Sequence, residues 1–331
     1  MRVLRNIYKY SKYILSSLLI VAFASSCIKD DLSDCPALNL RVTVASSVGS
    51  GSELGNAVSD VMLYIFDENE ILLDMFPSEI GKIERLNYPR AVKLNVVATA
   101  NIGSQVSLSS LVIGQTKLSE VKISLQEGQN YLNHDIYTHP SDILTGILAI
   151  DNVPVNDVLE LPISRKVAAV TVRVKQLREH VGALDAPEDD FTIVLGTPYN
   201  YLNFLGESGL NTRADSYPVN YKLTGGFRTA FEKEYFEAPE QVSAEKTDFV
   251  RTISTDDGSP VSVSIYYKGQ LVPGTPVTHY TDNTPITVKN NRLNVILITF
   301  GKEGQVYVRI NEAKWNSYVE IDKDFTPEWN D

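Results

Sequence analysis

Apolar and polar side chains alternate along most of this chain in runs as short as strands. Leu38, Leu40, Val42 and Val44 are separated by Asn39, Arg41 and Thr43, the period-two pattern of a strand with one buried face. Val61 to Phe66 and Ile71 to Phe76 flank Asp67-Glu68-Asn69-Glu70, which predicts a hairpin whose arms, apolar on both faces, lie near the core. Ala91 to Ala100 alternates again before a turn at Asn101-Ile102-Gly103. A short helix is expected near Ser107 to Leu111, strands at Val121 to Leu125 and Ile143 to Ile150, and a loop over Asn133 to Pro140. After Leu159 to Ile163, a stronger alternation opens in Ala168, Val170, Val172 and Val174. Later strands are read at Phe191 to Leu195, Val219 to Leu223, Val261 to Tyr267, Arg292 to Phe300 and Val306 to Ile310, with a C-terminal arm from Trp315 to Ile321. Gly301 to Gln305 supplies a turn between two of them. Ala45 to Ala57, rich in Ser and Gly, and Phe227 to Pro239 read as loops. No stretch keeps a helical period over three turns. Short strands separated by turn chemistry predict an all-β fold of sandwiches, and parallel βαβ units would need crossover helices that this pattern lacks. No fixed-period repeat is present.

The first residues follow a different pattern. Arg2, Arg5, Lys9 and Lys12 precede an apolar segment, Ile14 to Phe23, that is too short to span a bilayer, and Ala24-Ser25-Ser26 leads into Cys27. Residues 1–26 are therefore expected to be a lipoprotein signal peptide. Cys27 becomes the lipidated first residue, because a thiol is the nucleophile that diacylglycerol transfer needs and small residues let the backbone enter a peptidase cleft. Acyl chains such as palmitate contribute about 0.8 kcal/mol per buried methylene, so a multiply acylated cysteine anchors stably. Lys29-Asp30-Asp31 directly after it resembles the surface-export signal of lipoproteins in the Bacteroides group. Residues 27–36 form a short tether.

Removing the signal leaves 305 residues, the length of two domains, and the boundary is read at 160/161: an N-terminal unit over 37–160 and a C-terminal one over 161–331. The four basic residues of the signal leave 26 against 41 acids, a formal charge of about −15. That excludes nucleic acid as a partner and a basic membrane-binding patch, so the membrane contact is the lipid itself. With Cys27 modified, Cys35 is a lone thiol, and no C-x-x-C motif is present.

The search for chemistry returns no catalytic constellation and no cofactor motif. His134 and His139 stand five apart around Asp135, but strand spacing puts them on opposite faces and a loop fixes neither. His180 and His279 are isolated. Glu188-Asp189-Asp190 and Asp256-Asp257-Gly258 lack the alternate acids and closing glutamate of a calcium loop and read as acidic turns. No metal site is assigned. Tyr199, Tyr201, Tyr217, Tyr221, Tyr266 and Tyr267 could form a sugar platform, although strands favour tyrosine in any case. There is no G-x-S-x-G elbow, H-E-x-x-H helix or phosphate-binding loop.

Four stretches carry a family resemblance: Cys27-Ile28-Lys29-Asp30-Asp31-Leu32-Ser33-Asp34-Cys35-Pro36; Val96-Val97-Ala98-Thr99-Ala100-Asn101-Ile102-Gly103; Ser164-Arg165-Lys166-Val167-Ala168-Ala169-Val170-Thr171-Val172; and Val306-Tyr307-Val308-Arg309-Ile310 followed by Trp315. With them the chain resembles the FimB-type fimbrial anchor lipoproteins of the Bacteroides and Porphyromonas group. The resemblance implies two transthyretin-like β-sandwich domains in tandem, a place at the membrane end of a surface fimbria, and a shaft subunit as partner, bound by strand addition. Shaft subunits of such fimbriae look similar but lose an N-terminal segment by cleavage after arginine, which opens a groove for a neighbour's strand. Here no arginine lies between Cys27 and the first strand, and Arg41 lies inside the alternating run. Cleavage there would sever the lipid and discard half a strand, so an uncleaved terminal subunit that holds the first shaft subunit and limits fibre length is expected, with residues 315–331 as a contact. The competing readings are a surface glycan-binding lipoprotein of a nutrient-uptake system, a fimbrial tip or accessory adhesin and, last, a hydrolase, for which no nucleophile, base or metal set stands out.

Overall fold

The computed structural model describes residues 38–45, 58–88, 93–151, 157–210, 219–223, 241–242, 250–301, 304–314 and 319–320. The signal segment, Cys27, Lys29, Asp30, Asp31, Cys35, the tether, most of the Ala45 to Ala57 run, Phe227 to Pro239 and most of the C-terminal tail lie outside the described residues.

The strands in chain order are β1 (Leu38–Val44), β2 (Met62–Phe66), β3 (Leu72–Pro77), β4 (Ile83–Leu86), β5 (Lys93–Ala100), β6 (Val106–Leu108), β7 (Lys122–Leu125), β8 (Glu127–Tyr131), β9 (His134–Tyr137), β10 (Leu144–Asp151) and β11 (Val158–Arg165). They continue as β12 (Val167–Lys175), β13 (Phe191–Thr197), β14 (Tyr199–Asn203), β15 (Ser208–Leu210), β16 (Val219–Leu223), β17 (Gln241–Val242), β18 (Val250–Ile253), β19 (Ser262–Tyr267), β20 (Gln270–Leu271), β21 (Arg292–Phe300), β22 (Val306–Lys314) and β23 (Val319–Glu320). One helical turn, Leu177–His180, follows β12. The chain is all-β.

The first sheet runs β3-β2-β5-β10-β11-β1-β4. Its middle is pinched: β10 meets β11 only where Leu144 faces Arg165 and Thr145 faces Ser164. The next residues explain the break. Pro162 has no N–H to give a ladder, and Gly146 lies so close that a Cβ there would overlap the Pro162 carbonyl. The sheet turns a corner, so β3-β2-β5-β10 and β11-β1-β4 become facing layers. Leu38, Leu40, Val42, Leu161 and Ile163 from one layer bury against Leu63, Ile65, Leu94, Val96 and Leu144 from the other. Among the described residues, no side chain after Arg165 joins this core.

Beyond Lys166 the chain enters a second sheet, β18-β12-β21-β22, in which β21 and β22 pair from Arg292 opposite Lys314 to Phe300 opposite Val306. A six-stranded sheet, β20-β19-β13-β16-β9-β8, and a four-stranded one, β15-β14-β7-β6, complete the second half. Both take strands from early in the chain, since β6 to β9 precede β10. The larger core gathers Val170, Ile296, Ile193, Ile265 and Tyr221 with Ile123 and Val106. It also reaches the outer face of the first sheet, where Phe204, in the β14–β15 turn, packs 4.7 Å from the Tyr64 ring and 6.5 Å from Phe66.

Most expected strands form within a residue or two of their sequence limits, and three departures have physical causes. The helix expected near Ser107 to Leu111 is strand β6, because pairing with β7 (Val106 opposite Leu125) overrides a weak local preference. The loop expected over Asn133 to Pro140 begins with β9, paired with β8 through a turn in which Leu132 and Asn133 both have positive φ. β8 is an exposed polar edge strand and carries no hydrophobic signal. Finally, β3 is a core arm only in part: Leu72 is buried and Leu73 and Phe76 pack against the first core, but the strand is a sheet edge and Met75 on it is exposed. Parallel neighbours do occur, β1 with β11 and β12 with β21, without crossover helices, since the connections run through other strands.

Candidate functional site

The alternation in Leu38–Val44 is a filled seat. β1 lies between β11, parallel, and β4, antiparallel, with Asn39 opposite Val158 and Arg85, and Arg41 opposite Glu160 and Ile83. Leu38, Leu40 and Val42 are at most 1% exposed, while Asn39, Arg41 and Thr43 lie on the other, half-buried face. The Ala45 N–H donates to the Ile163 carbonyl at 2.9 Å and the Gly81 N–H to that of Val42 at 2.9 Å, so pairing runs to the strand's end on the β11 side and as far as Val42 on the other. Arg41 reaches Glu160 at 3.7 Å across partly exposed side chains, a weak surface pair. Its main chain is inside the ladder. Cleavage after Arg41 would cut a strand paired on both edges.

A second cluster joins the two halves. Asn101 has φ 59°, a left-handed conformation that asparagine tolerates better than most residues. There its Oδ1 accepts the Ser59 N–H at 2.7 Å, its Nδ2 donates to the Asp142 carbonyl at 3.1 Å, and its own carbonyl accepts Ser141 Oγ at 2.5 Å. The Asp142 carboxylate receives Arg165 Nε at 2.5 Å and Nη2 at 2.7 Å, and Arg165 Nη1 donates to Asn291 Oδ1 at 2.8 Å. The Asn291 N–H in turn donates to the Val167 carbonyl at 3.0 Å. Two stretches that carry the family resemblance, around Asn101 and Arg165, therefore meet at one junction. Arg251 lies beside it, its pKa lowered first by burial and further by the Arg165 charge.

The other sequence-marked residues do not converge. His134 on β9 shares a 2.5 Å hydrogen bond with the Tyr266 hydroxyl, whereas His139 lies near Arg251; burial, then that charge, lowers the His139 pKa. His180 stacks on Phe300 at 4.4 Å and His279 bonds Thr278 at 2.8 Å. Among the described residues no three His, Cys, Asp or Glu side chains group as a metal site would require. Glu188 to Asp190 form one tight turn, and Asp190 faces Lys268 at 3.5 Å. Asp256 accepts Ser254 Oγ at 3.0 Å, and Asp257 accepts the Tyr199 hydroxyl and the Ser259 N–H at 3.1 Å. These acids bond their own turns.

The tyrosines are dispersed too. Tyr199 and Tyr221 are core residues; burial, then the Asp257 bond, pushes the Tyr199 pKa up to about 12. Tyr201 lies across Gly209 with Lys122 4.3 Å above its ring, and Tyr267 packs on Phe191 at 4.9 Å. Tyr217 is outside the described residues. Sequence reasoning missed the junction: Asp142 and Asn291 are single polar residues at strand ends and Asn101 reads only as a turn. The one available signal was Arg165 beside the apolar run that begins at Val167.

A model of the family described as fimbrillin-A associated anchor proteins Mfa1 and Mfa2 matches residues 32–319. Similar solved structures include a candidate polysaccharide-binding protein from Bacteroides thetaiotaomicron (TM-score 0.54, 13% identity, covering 84% of this chain and 98% of that one). Another is a candidate adhesin from Bacteroides ovatus (0.52, 15%, 88% and 97%). A third is the fimbrial anchor protein Mfa2 from Porphyromonas gingivalis (0.51, 14%, 86% and 99%). At such identities the likeness is one of fold. No curated protein sequence matches the chain significantly. The family match spans the described strands from β1 to the first residue of β23, and the chain belongs to the family of fimbrillin-A associated anchor proteins Mfa1 and Mfa2.

Proposed function

We propose that this member of a fimbrial, non-enzymatic family is the basal subunit of a surface fimbria, tied to the outer membrane through lipid on Cys27 and carried outward by Lys29, Asp30 and Asp31. It binds the first shaft subunit by strand addition and limits fibre length. In this reading the lipid-proximal unit, 37–160, and the distal unit, 161–331, share strands, and residues 315–331 are a contact for the shaft.

The observation that carries the reading is the filled seat of β1. A shaft subunit must lose its first strand to receive a neighbour; a basal subunit must keep it, because the strand joins the lipid to the fold. With Leu38, Leu40 and Val42 at most 1% exposed and both edges paired, β1 is a permanent part of the sandwich, and Arg41 sits where a protease cannot bind it in extended form. The chain then takes part in strand addition by giving a strand or by using an edge other than this seat.

Deleting the gene and imaging fimbriae by electron microscopy, together with measuring fibres shed into the medium, tests the anchor role. Fibres should be longer and released; attached fibres of normal length would refute it. Cys27→Ala should move the protein out of the membrane fraction, and an unchanged fraction would refute lipid anchoring.

A further inference from the structure

We propose that β1 and β11 form a mechanical clamp that takes the pull on the fibre in shear. This inference deepens the anchor reading and rests on it. The direction of the strands carries the argument. β1 and β11 are parallel and start at the same end, with Asn39 opposite Val158 and Val44 opposite Ile163. If the chain is held at its N-terminus, tension enters β1 at Leu38. On the other side, β11 ends at Arg165 and, after the single residue Lys166, becomes β12 of the second half. Tension from the second half therefore enters β11 at its C-terminal end.

The two strands are pulled from opposite ends along their own axes. In that geometry all the ladder bonds share the force and must fail together. An antiparallel hairpin pulled at its two open ends fails bond by bond. Three further features hold the clamp. Leu40 and Val42 are sealed in the first core on the same side as Leu161 and Ile163. β4 pairs the other edge of β1. At the exit of β11, Arg165 is tied to Asp142 and Asn291, and the Lys166 N–H donates to the Ile143 carbonyl at 2.9 Å, so the strand cannot swing out and turn shear into peeling.

Single-molecule force spectroscopy on the full mature chain, with Cys27 and Cys35 replaced by serine, tests the clamp. One pair of handles joins an N-terminal tag to Leu184→Cys, an exposed position after β12. The control pair joins Glu68→Cys, at the exposed tip of the β2–β3 turn, to Leu184→Cys, which leaves β1 outside the loaded path. The N-terminal placement should show a high-force rupture that is lost in the control, and Leu40→Ala, or the milder Leu40→Val if that variant does not fold, should lower it. Forced unfolding reads the unfolding rate and not equilibrium stability, so the two placements differ only if direction matters. Equal rupture forces, or opening of the second half before β1 is released, would overturn the clamp. Because this assay uses purified protein, its outcome is separate from fibre attachment in cells, which tests the anchor role alone.

Discussion

Leu40 and Arg41 are neighbours on β1 with opposite surroundings, and truncating each in turn weighs the seat. Leu40 is fully buried in the first core, facing Glu84 across one ladder and Leu159 across the other. Leu40→Ala removes its branched end from a close-packed site between two layers that are themselves ladders and cannot collapse freely. Core leucine truncations cost about 2–5 kcal/mol, and limited relaxation places this one in the upper half of that range. Arg41→Ala removes a side chain that is 37% exposed and a 3.7 Å contact to a Glu160 side chain that is 61% exposed. Such a pair contributes about 0–1 kcal/mol. Urea denaturation followed by circular dichroism should show the Leu40→Ala midpoint falling with little change in slope, and the Arg41→Ala midpoint almost unmoved. Similar losses for both, or a Leu40→Ala loss below about 1 kcal/mol, would mean that β1 is not held by its buried face. The permanence of the seat would then fail.

Three other expectations concern the corner, the junction and a half-buried histidine. Gly146→Ala should destabilise by about 3 kcal/mol or more in the same denaturation assay, since the new methyl meets main chain 3.0 Å away at the Pro162 carbonyl carbon and 3.2 Å away at Ile163 Cα, which cannot rotate aside. Arg165→Met should cost about 3–5 kcal/mol by leaving Asp142 without its bidentate partner, and Asp142→Leu combined with it should recover a large part, so a double-mutant cycle that shows additivity would refute the coupling. His139 has its pKa lowered by burial and by Arg251, so the unfolded chain binds the proton more readily. Its contribution is complete above the unfolded value of about 6.5 and is lost as pH falls below it toward the lowered folded value; His139→Gln should flatten the stability profile in that window, and an unchanged slope would count against it.

The strand pattern was legible in the longer runs with one buried face or wholly inside, as in Leu38–Val44, Met62–Phe66 and Arg292–Phe300, whereas the short strands Tyr199–Asn203 and Val250–Ile253, although partly buried, were too brief to show a period. It was silent where a strand is polar and exposed. Glu127–Tyr131 has no apolar position to mark it, and its existence depends on a turn at Leu132-Asn133 that local sequence does not advertise. Leu108 and Leu111 looked helical because nothing local says that β7 will pair beside them. The all-β class needed only the period; the sheet memberships needed the pairing. The absence of a cleavable arginine before the first strand was likewise readable, but its meaning depends on β1 being paired on both edges. The junction was illegible for a different reason: Asn101, Asp142, Arg165 and Asn291 are far apart in sequence, and each has an ordinary reading as a turn or surface residue.

The strands lent by the early chain to the later sheets impose an order of assembly. Synthesis delivers the polypeptide from its N-terminus, so the first sandwich can close once β11 has emerged. β7 then still lacks β14, and β9 still lacks β16. The segment from Val106 to Tyr137 must wait, with Ile123 and Leu125 uncovered and its edges unpaired, until much of the second half has arrived. A chain halted between Arg165 and Tyr199 would thus present a finished sandwich with an open, strand-hungry appendage. That intermediate is the form most exposed to aggregation and proteolysis, and the one a holding chaperone would meet.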